Sequence, residues 1–522
     1  MQTYSLDQKI AQLFVVSFAH SHLTQEDIDE FTKHKFSNFI YFARNLENYK
    51  AVAELSRSLQ EIAKQNCNIP AFIAIDQEGG MVTRVYSGAT HFPTNMAITA
   101  SNNADSVYEM GKMVGTELLR MGINLNLAPV LDVNNNPYNP VIGIRSYSDN
   151  PEIVSQMGVD YLKGLQSAGV LASAKHFPGH GDVTVDSHLS LPVVDYPMER
   201  LEKVELLPFK AAIKAGVSSI MSAHVVFPSV DKTRLPATLS SEILTKFLRE
   251  TLNFQGIVMT DGMQMEAIRS NYGIERGAVL AIQAGVDLLC MTGSHTDNHL
   301  AFEAIKKAVA DGTIPISRID DAFERILSYK KQFHLNFDFI PFEQLVEIYP
   351  KHEQLAEKMS RESITLVRDP QKLLPLGNCK LLAISTLPIR ANLAENSTVV
   401  LESFAEVLAK TQGANYREIE LDVPDIVIQE IVEASINYDK IVVATYNAIL
   451  NRQQALLVKR LTDIGANVIV VALRLPYDCK VMPESVSFVA AYEYTKRSIY
   501  NVCKCLAGDI PFMGVMPVAD YE

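Results

Sequence analysis

Between Ala174 and Pro192 the chain reads AKHFPGHGDVTVDSHLSLP, which sets Lys175, His176, His180, Asp182, Asp186 and His188 close together with Gly179 and Gly181. A core helix or strand does not tolerate that density of ionisable groups; a loop at the mouth of an active site does. Within it, Asp186-Ser187-His188 is a local acid–histidine pair. A carboxylate two residues away can bond one imidazole nitrogen, fix the tautomer and leave the other nitrogen for proton transfer near neutral pH. A functionless surface pair has the same spacing. His180 and Asp182 are expected to shape the loop.

Other candidate groups lie elsewhere in the chain. Asp261, in VMTDGMQM, ends an apolar run just before a glycine, where a confined carboxylate can act as nucleophile or cation stabiliser, or simply cap the next helix. Asp76, in DQEGG, follows another apolar run with Arg84 close behind, and can accept hydrogen bonds from ligand hydroxyls. Arg145, Lys175 and His176 supply donors able to clamp a polar ligand, though each alone serves equally as a salt-bridge partner.

The elements that must position these groups are legible as alternating strand-like and helical stretches. Apolar runs fall at 13–19, 38–43, 71–76, 123–133, 170–177, 218–227, 256–262 and 286–293, with helix-like sequence after each. Eight repeats of strand then helix predict a (β/α)8 TIM barrel over residues 1–335. Asp76, Asp132, Lys175, His176, His224 and Asp261 then lie at or near the carboxyl ends of five strands, the face where barrels build active sites. Residues 336–360 read as a connecting arm. A second, smaller α/β domain with a parallel or mixed sheet is expected over 361–522; without a dense ionisable cluster, it reads as a packing domain.

Composition narrows the partners. With 522 residues, 48% of them hydrophobic and a net charge of −13, the chain is a globular protein ill-suited to nucleic acid or anionic membrane surfaces. No window approaches a membrane span, and MQTYSLDQKIAQLF lacks the basic start of a signal peptide, so a cytoplasmic protein is expected. The six scattered cysteines read as reduced core thiols, and the sequon Asn396-Ser397-Thr398 as chance.

Five strings carry a family resemblance: DQEGG with Arg84, NLAPVLDV, IGIRSY, KHFPGHGD with DSH, and TDGMQM. The chain resembles the β-N-acetylglucosaminidase branch of glycoside hydrolase family 3, over the whole barrel and in having a C-terminal α/β domain. The resemblance implies His188 as acid/base with Asp186 as its partner and Asp261 as nucleophile. It assigns Asp76, Arg84, Arg145, Lys175 and His176 to the terminal N-acetylglucosamine. It implies retaining exo-hydrolysis through a covalent glycosyl-enzyme, without metal or other cofactor, on cell-wall muropeptide fragments as part of peptidoglycan recycling. Departures from the family pattern are Met81, Val183 and Gly262. Gly179 and Gly181 are expected to let the loop move onto bound substrate.

Three alternatives stay open. One is phosphorolysis, or action on other β-glycosides, within the same family. A second is a metal-dependent barrel hydrolase using His20, His22, Lys175, His176 and His224. The third is a barrel that binds sugar without turning it over.

Overall fold

The computed structural model describes residues 3–346, 349–387, 392, 394–395 and 402–519; the Asn396 sequon lies outside them. Eight parallel strands form the first sheet: β1 (Phe14–Val16), β2 (Phe39–Tyr41), β3 (Ile73–Ile75), β4 (Leu125–Asn126), β5 (Leu171–Phe177), β6 (Ser219–Ser222), β7 (Ile257–Thr260) and β8 (Leu289–Met291). Neighbours pair in chain order, and β1 also pairs with β8. A bridge from Met259 to Leu288 joins β7 to β8 and closes the barrel. Every residue of these strands is buried, as expected for strands enclosed by helices on one side and packed on the barrel axis on the other.

The strands are shorter than the apolar runs that encode them. The run 123–133 yields only Leu125–Asn126, because Pro129 has no N–H to give the ladder; pairing resumes as a single bridge from Val130 to Lys175. His224 likewise lies beyond β6. A short hairpin (Gln77–Gly79 with Val82–Thr83) follows β3 and carries the DQEGG string.

Two helices of the outer ring begin with reciprocal caps. In α1 (Gln25–His34) the Thr24 hydroxyl accepts from the Asp27 N–H, and the Asp27 carboxylate accepts from the Thr24 N–H. Ser294 and Asp297 repeat the arrangement at the start of α2 (His295–Ala310). A third helix, α3 (Pro350–Ser363), leads into the second domain.

The second sheet has six strands: β9 (Thr365–Arg368), β10 (Leu381–Thr386), β11 (Asn415–Ile419), β12 (Lys440–Thr445), β13 (Val468–Ala472) and β14 (Ser487–Ala490). Their order is β9-β14-β13-β12-β10-β11, parallel except for the antiparallel edge pair β9–β14. The cysteines are all unbridged, and all but Cys379 are buried.

The domains are not independent beads. Met81, Ile144 and the helical residues Met96, Ala97 and Ala100, all from segments that connect barrel strands, are buried in the hydrophobic cluster of the second domain. Buried hydrogen bonds reinforce the contact, among them Asn134 Nδ2 to the Tyr477 hydroxyl and the Thr94 N–H to Glu493. The loops so held are those that carry Glu78 and Arg145.

Candidate active site

The ends of the barrel strands open into a pocket of about 230 Å³. Asp76, Arg84, Arg145, Lys175, His176, His188 and Asp261 line it together, and Asp186 stands directly behind His188. Every site residue expected from sequence therefore converges on one place.

Asp261 follows the last residue of β7. Its Oδ1 accepts the Gly262 N–H at 2.7 Å, and its own N–H donates to the Ser222 carbonyl. It does not cap a helix; the next one starts at Glu266. No hydrogen bond engages Oδ2 among the described residues. Burial alone would raise the pKa of this carboxyl, but the imidazoles of His176, His224 and His188, with the Gly262 N–H, hold it well below the usual carboxylate range. Asp261 is thus anionic, with one oxygen free. His224 supports this turn from behind: Nε2 lies 3.0 Å from the Gly262 carbonyl and Nδ1 2.8 Å from the Thr238 hydroxyl. Since a carbonyl only accepts, Nε2 carries the proton.

The GHGD loop delivers the second group. Asp186 Oδ1 lies 2.7 Å from His188 Nδ1 and also accepts the His188 N–H. Burial raises the Asp186 pKa, and the His188 contacts outweigh it, so the carboxyl is held below its ordinary value. A carboxylate at Nδ1 fixes the ring and leaves Nε2 for the pocket that His188 lines. The loop is anchored along its length. His180 Nε2 meets the Ser187 hydroxyl at 2.9 Å, the Asn139 amide donates to the His180 and Gly181 carbonyls, and Arg200 pairs with Asp182. The glycines have a reason other than hinge motion. A Cβ at Gly181 would lie 1.7 Å from the Val133 carbonyl oxygen, and one at Gly179 2.8 Å from Glu205 Cβ. Both are sites of close packing in this conformation.

The opposite wall is a cage of charges. Arg145 forms a parallel pair of hydrogen bonds to Glu78, 2.9 and 2.8 Å long. Lys175 Nζ lies 2.6 Å from both Asp76 Oδ1 and Glu78 Oε1, and Arg84 lies 3.6 Å from Asp76. Burial raises the Glu78 pKa, but Arg145 and Lys175 bring it far below the carboxylate norm; Lys175 is correspondingly pushed up despite burial. The groups are therefore both ion-pair partners and pocket lining. Their fixed, balanced charges can exchange hydrogen bonds with a ring of hydroxyls.

Several contributors have no role assigned from sequence, Asp132 among them although it is placed at the strand ends. Glu78 lies within the DQEGG string, where i and i+2 on an extended segment face the same way and pair it with Asp76. Asp132 holds His176 Nδ1 at 2.7 Å and the backbone N–H groups of His176 and His180. Arg44 lines the pocket mouth, stacked 4.6 Å from the Phe42 ring and donating to the Phe18 carbonyl, with no carboxylate partner among the described residues. Ala394 of the second domain also lines the pocket, and its carbonyl accepts from Arg84. The domain expected only to pack therefore walls the site. His20 and His22 stay exposed, stacked on each other and outside the pocket lining. Of the three departures, Met81 is buried in the second core, Val183 is buried at the loop base, and Gly262 supplies the N–H on Asp261.

Fold and site together define a two-domain protein whose barrel gathers one anionic aspartate, two acid–imidazole pairs and a charge cage. The model of the glycosyl hydrolase family 3 N-terminal domain matches residues 5–329. The chain is 34% identical over 367 residues to β-hexosaminidase A of Pseudoalteromonas piscicida, covering 66% of this chain and 61% of that protein. It is 30% identical over 325 residues to a β-N-acetylglucosaminidase/β-glucosidase of Cellulomonas fimi, covering 60% and 57%. The chain thus spans about six-tenths of these curated relatives. The structure of a family 3 β-N-acetylglucosaminidase from Paenibacillus sp. str. FPU-7 superposes with a TM-score of 0.91 at 36% identity, covering 99% of each chain. The chain belongs to glycosyl hydrolase family 3.

Proposed function

We propose that this protein is a retaining exo-β-N-acetylglucosaminidase. The observation that carries the reading is the pairing, in one small pocket, of an ionised Asp261 with a carboxylate-backed His188. In the first step Asp261 Oδ2 bonds to the anomeric carbon as the glycosidic C–O bond breaks, and the departing oxygen takes the proton from His188 Nε2. In the second, water attacks the same carbon and gives its proton back to Nε2 while the Asp261–carbon bond breaks. Two inversions return the original configuration. Retaining glycosidases usually assign these roles to two carboxylates. An imidazole is neutral as base and cationic as acid, so it adds no negative charge beside Asp261.

Asp76, Arg84, Arg145, Lys175 and His176 would hold the terminal sugar. At about 230 Å³ the pocket is smaller than the roughly 300–1,000 Å³ of common ligand sites, which supports a single ring and hence exo action. The names of the relatives support N-acetylglucosamine as that ring. Arg44, a cation without a carboxylate partner at the mouth, supports an acidic aglycone, such as the lactyl group of a muropeptide; such cell-wall fragments would be met in a bacterial cytoplasm. Among the described residues no helix is long and apolar enough to cross a membrane.

A hydrolysis panel tests the reading. N-acetylglucosaminides should be cleaved faster than glucosides, anhydromuropeptides faster than chitobiose, and the first-formed sugar should be the β-anomer. Release of sugar 1-phosphate in phosphate buffer would move the reading to phosphorolysis. Absence of turnover would reduce the site to sugar binding.

A further inference from the structure

A second cluster of ligating groups lies outside the pocket, between the two capped helices α1 and α2. The helices follow β1 and β8, the first and last barrel strands, which pair with each other. Two rungs connect them. In the first, His295 Nε2 meets Asp27 Oδ1 at 2.8 Å. In the second, His34 Nε2 meets His299 Nδ1 at 2.9 Å. Glu303, one turn beyond His299, completes the second rung: one ligand atom each from His34, His299 and Glu303 lie within 4.8 Å of one another.

The setting of His34 is that of a prepared ligand. It is buried, stacked on Phe36 at 5.3 Å and edged by Phe302 at 5.2 Å, so the ring cannot turn away. Its Nδ1 lies 3.3 Å from the Glu30 carbonyl; a carbonyl only accepts, so Nδ1 carries the proton and the Nε2 lone pair faces α2. A plain histidine–histidine hydrogen bond accounts for the 2.9 Å contact but gives Glu303 no part. Nitrogen ligands about 2.05 Å from a tetrahedral ion stand about 3.3 Å apart, so a few tenths of an ångström of opening would admit one.

We propose that His34, His299 and Glu303 form a transition-metal site of the zinc class that pins the first βα unit of the barrel to the last. Two imidazoles and a carboxylate favour Zn²⁺, Ni²⁺ or Cu²⁺ over Mg²⁺ or Ca²⁺. The exposed Glu303 and half-buried His299 give the ion an entry path and leave a fourth position for water. The family resemblance implies no metal; the two histidines of this site stand 265 residues apart in the chain. The assigned role is structural and independent of the catalytic reading.

Cobalt and zinc titrations of the whole protein test it. Wild type should bind one equivalent of Co²⁺ with the visible absorption of a low-symmetry nitrogen/oxygen site, and Zn²⁺ should displace it. His299→Asn and Glu303→Gln, both at accessible positions, should lose that equivalent or weaken it at least tenfold, with kcat/KM in chelator unchanged. Zn²⁺ should raise Tm in wild type and not in His299→Asn. The proposal is overturned if the variants keep the same equivalents at the same affinity, or if wild type takes up no ion at tens of micromolar. Metal held only by the Asp186–His188 pocket would appear as equal uptake in all three proteins, which also overturns it.

Discussion

His176 Nδ1 and the Asp132 carboxylate meet at 2.7 Å, the distance that also separates His188 Nδ1 from Asp186. The pocket therefore holds two acid–imidazole pairs with different supports. Asp132 is wholly buried and also takes the His180 N–H, so it fixes a sugar-facing ring and the base of the loop together. Asp186 sits on the loop itself and bonds both the ring and the backbone N–H of His188.

Asp132→Asn should consequently act through both His176 and the loop. Partners that orient a ligand side chain typically matter 10–100-fold, and kcat/KM should fall by about that factor, with KM rising as well as kcat falling. Steady-state kinetics checks this; an unchanged KM would mean that His176 does not touch the sugar.

Glu78→Gln removes the charge that two buried cations share. Removing one member of a buried ion pair costs about 3–5 kcal/mol, because the remaining charge is left uncompensated. Denaturant unfolding should show a loss of that order, and kcat/KM should drop as Arg145 and Lys175 shift. Wild-type stability in the variant would show the cage to be solvated.

Gly181→Ala tests the loop as a packed element. Its methyl group would meet the Val133 carbonyl, so the loop must move away from the barrel, carrying Asp186 and His188 with it. A displacement near 1 Å can cost about 100-fold in rate, and kcat should fall by that order while the melting temperature changes little. Unaltered kcat would show that the loop is free to readjust.

Glu493 carries the pH dependence of the domain contact. It is buried against the Thr94 N–H, and burial raises its pKa to about 7. Its unfolded value is near 4.3, so the folded state keeps a proton that the unfolded state has lost. That contribution is fully present below about pH 4 and is lost as pH rises through about 7. Glu493→Gln should therefore stabilise the protein at pH 8 by a few kcal/mol and leave it nearly unchanged at pH 4. Melting curves at the two pH values read this directly; equal effects at both would remove Glu493 from the account.

Strand order and the pocket were legible because apolar runs ending in Asp76, Lys175 and Asp261 encode both the barrel and its catalytic face. Strand lengths were not, since a proline such as Pro129 breaks pairing inside a run that stays apolar. What was not legible was the part played by residues that act through distant partners. Asp132 matters through His176 and His180, 44 and 48 residues on. Ala394 has no chemistry of its own and reaches the pocket only because the second domain packs on Met81 and Ile144.

The division of labour between Asp261 and His188 is tested most directly by trapping. His188→Ala, given an aryl N-acetylglucosaminide with a good leaving group, needs no acid for the first step and lacks the base for the second. Peptide mass spectrometry of the enzyme at steady state should find the sugar bonded to Asp261, with azide restoring turnover as the β-glycosyl azide. A sugar on another residue, or no adduct together with equal rate losses on good and poor leaving groups, would contradict the mechanism.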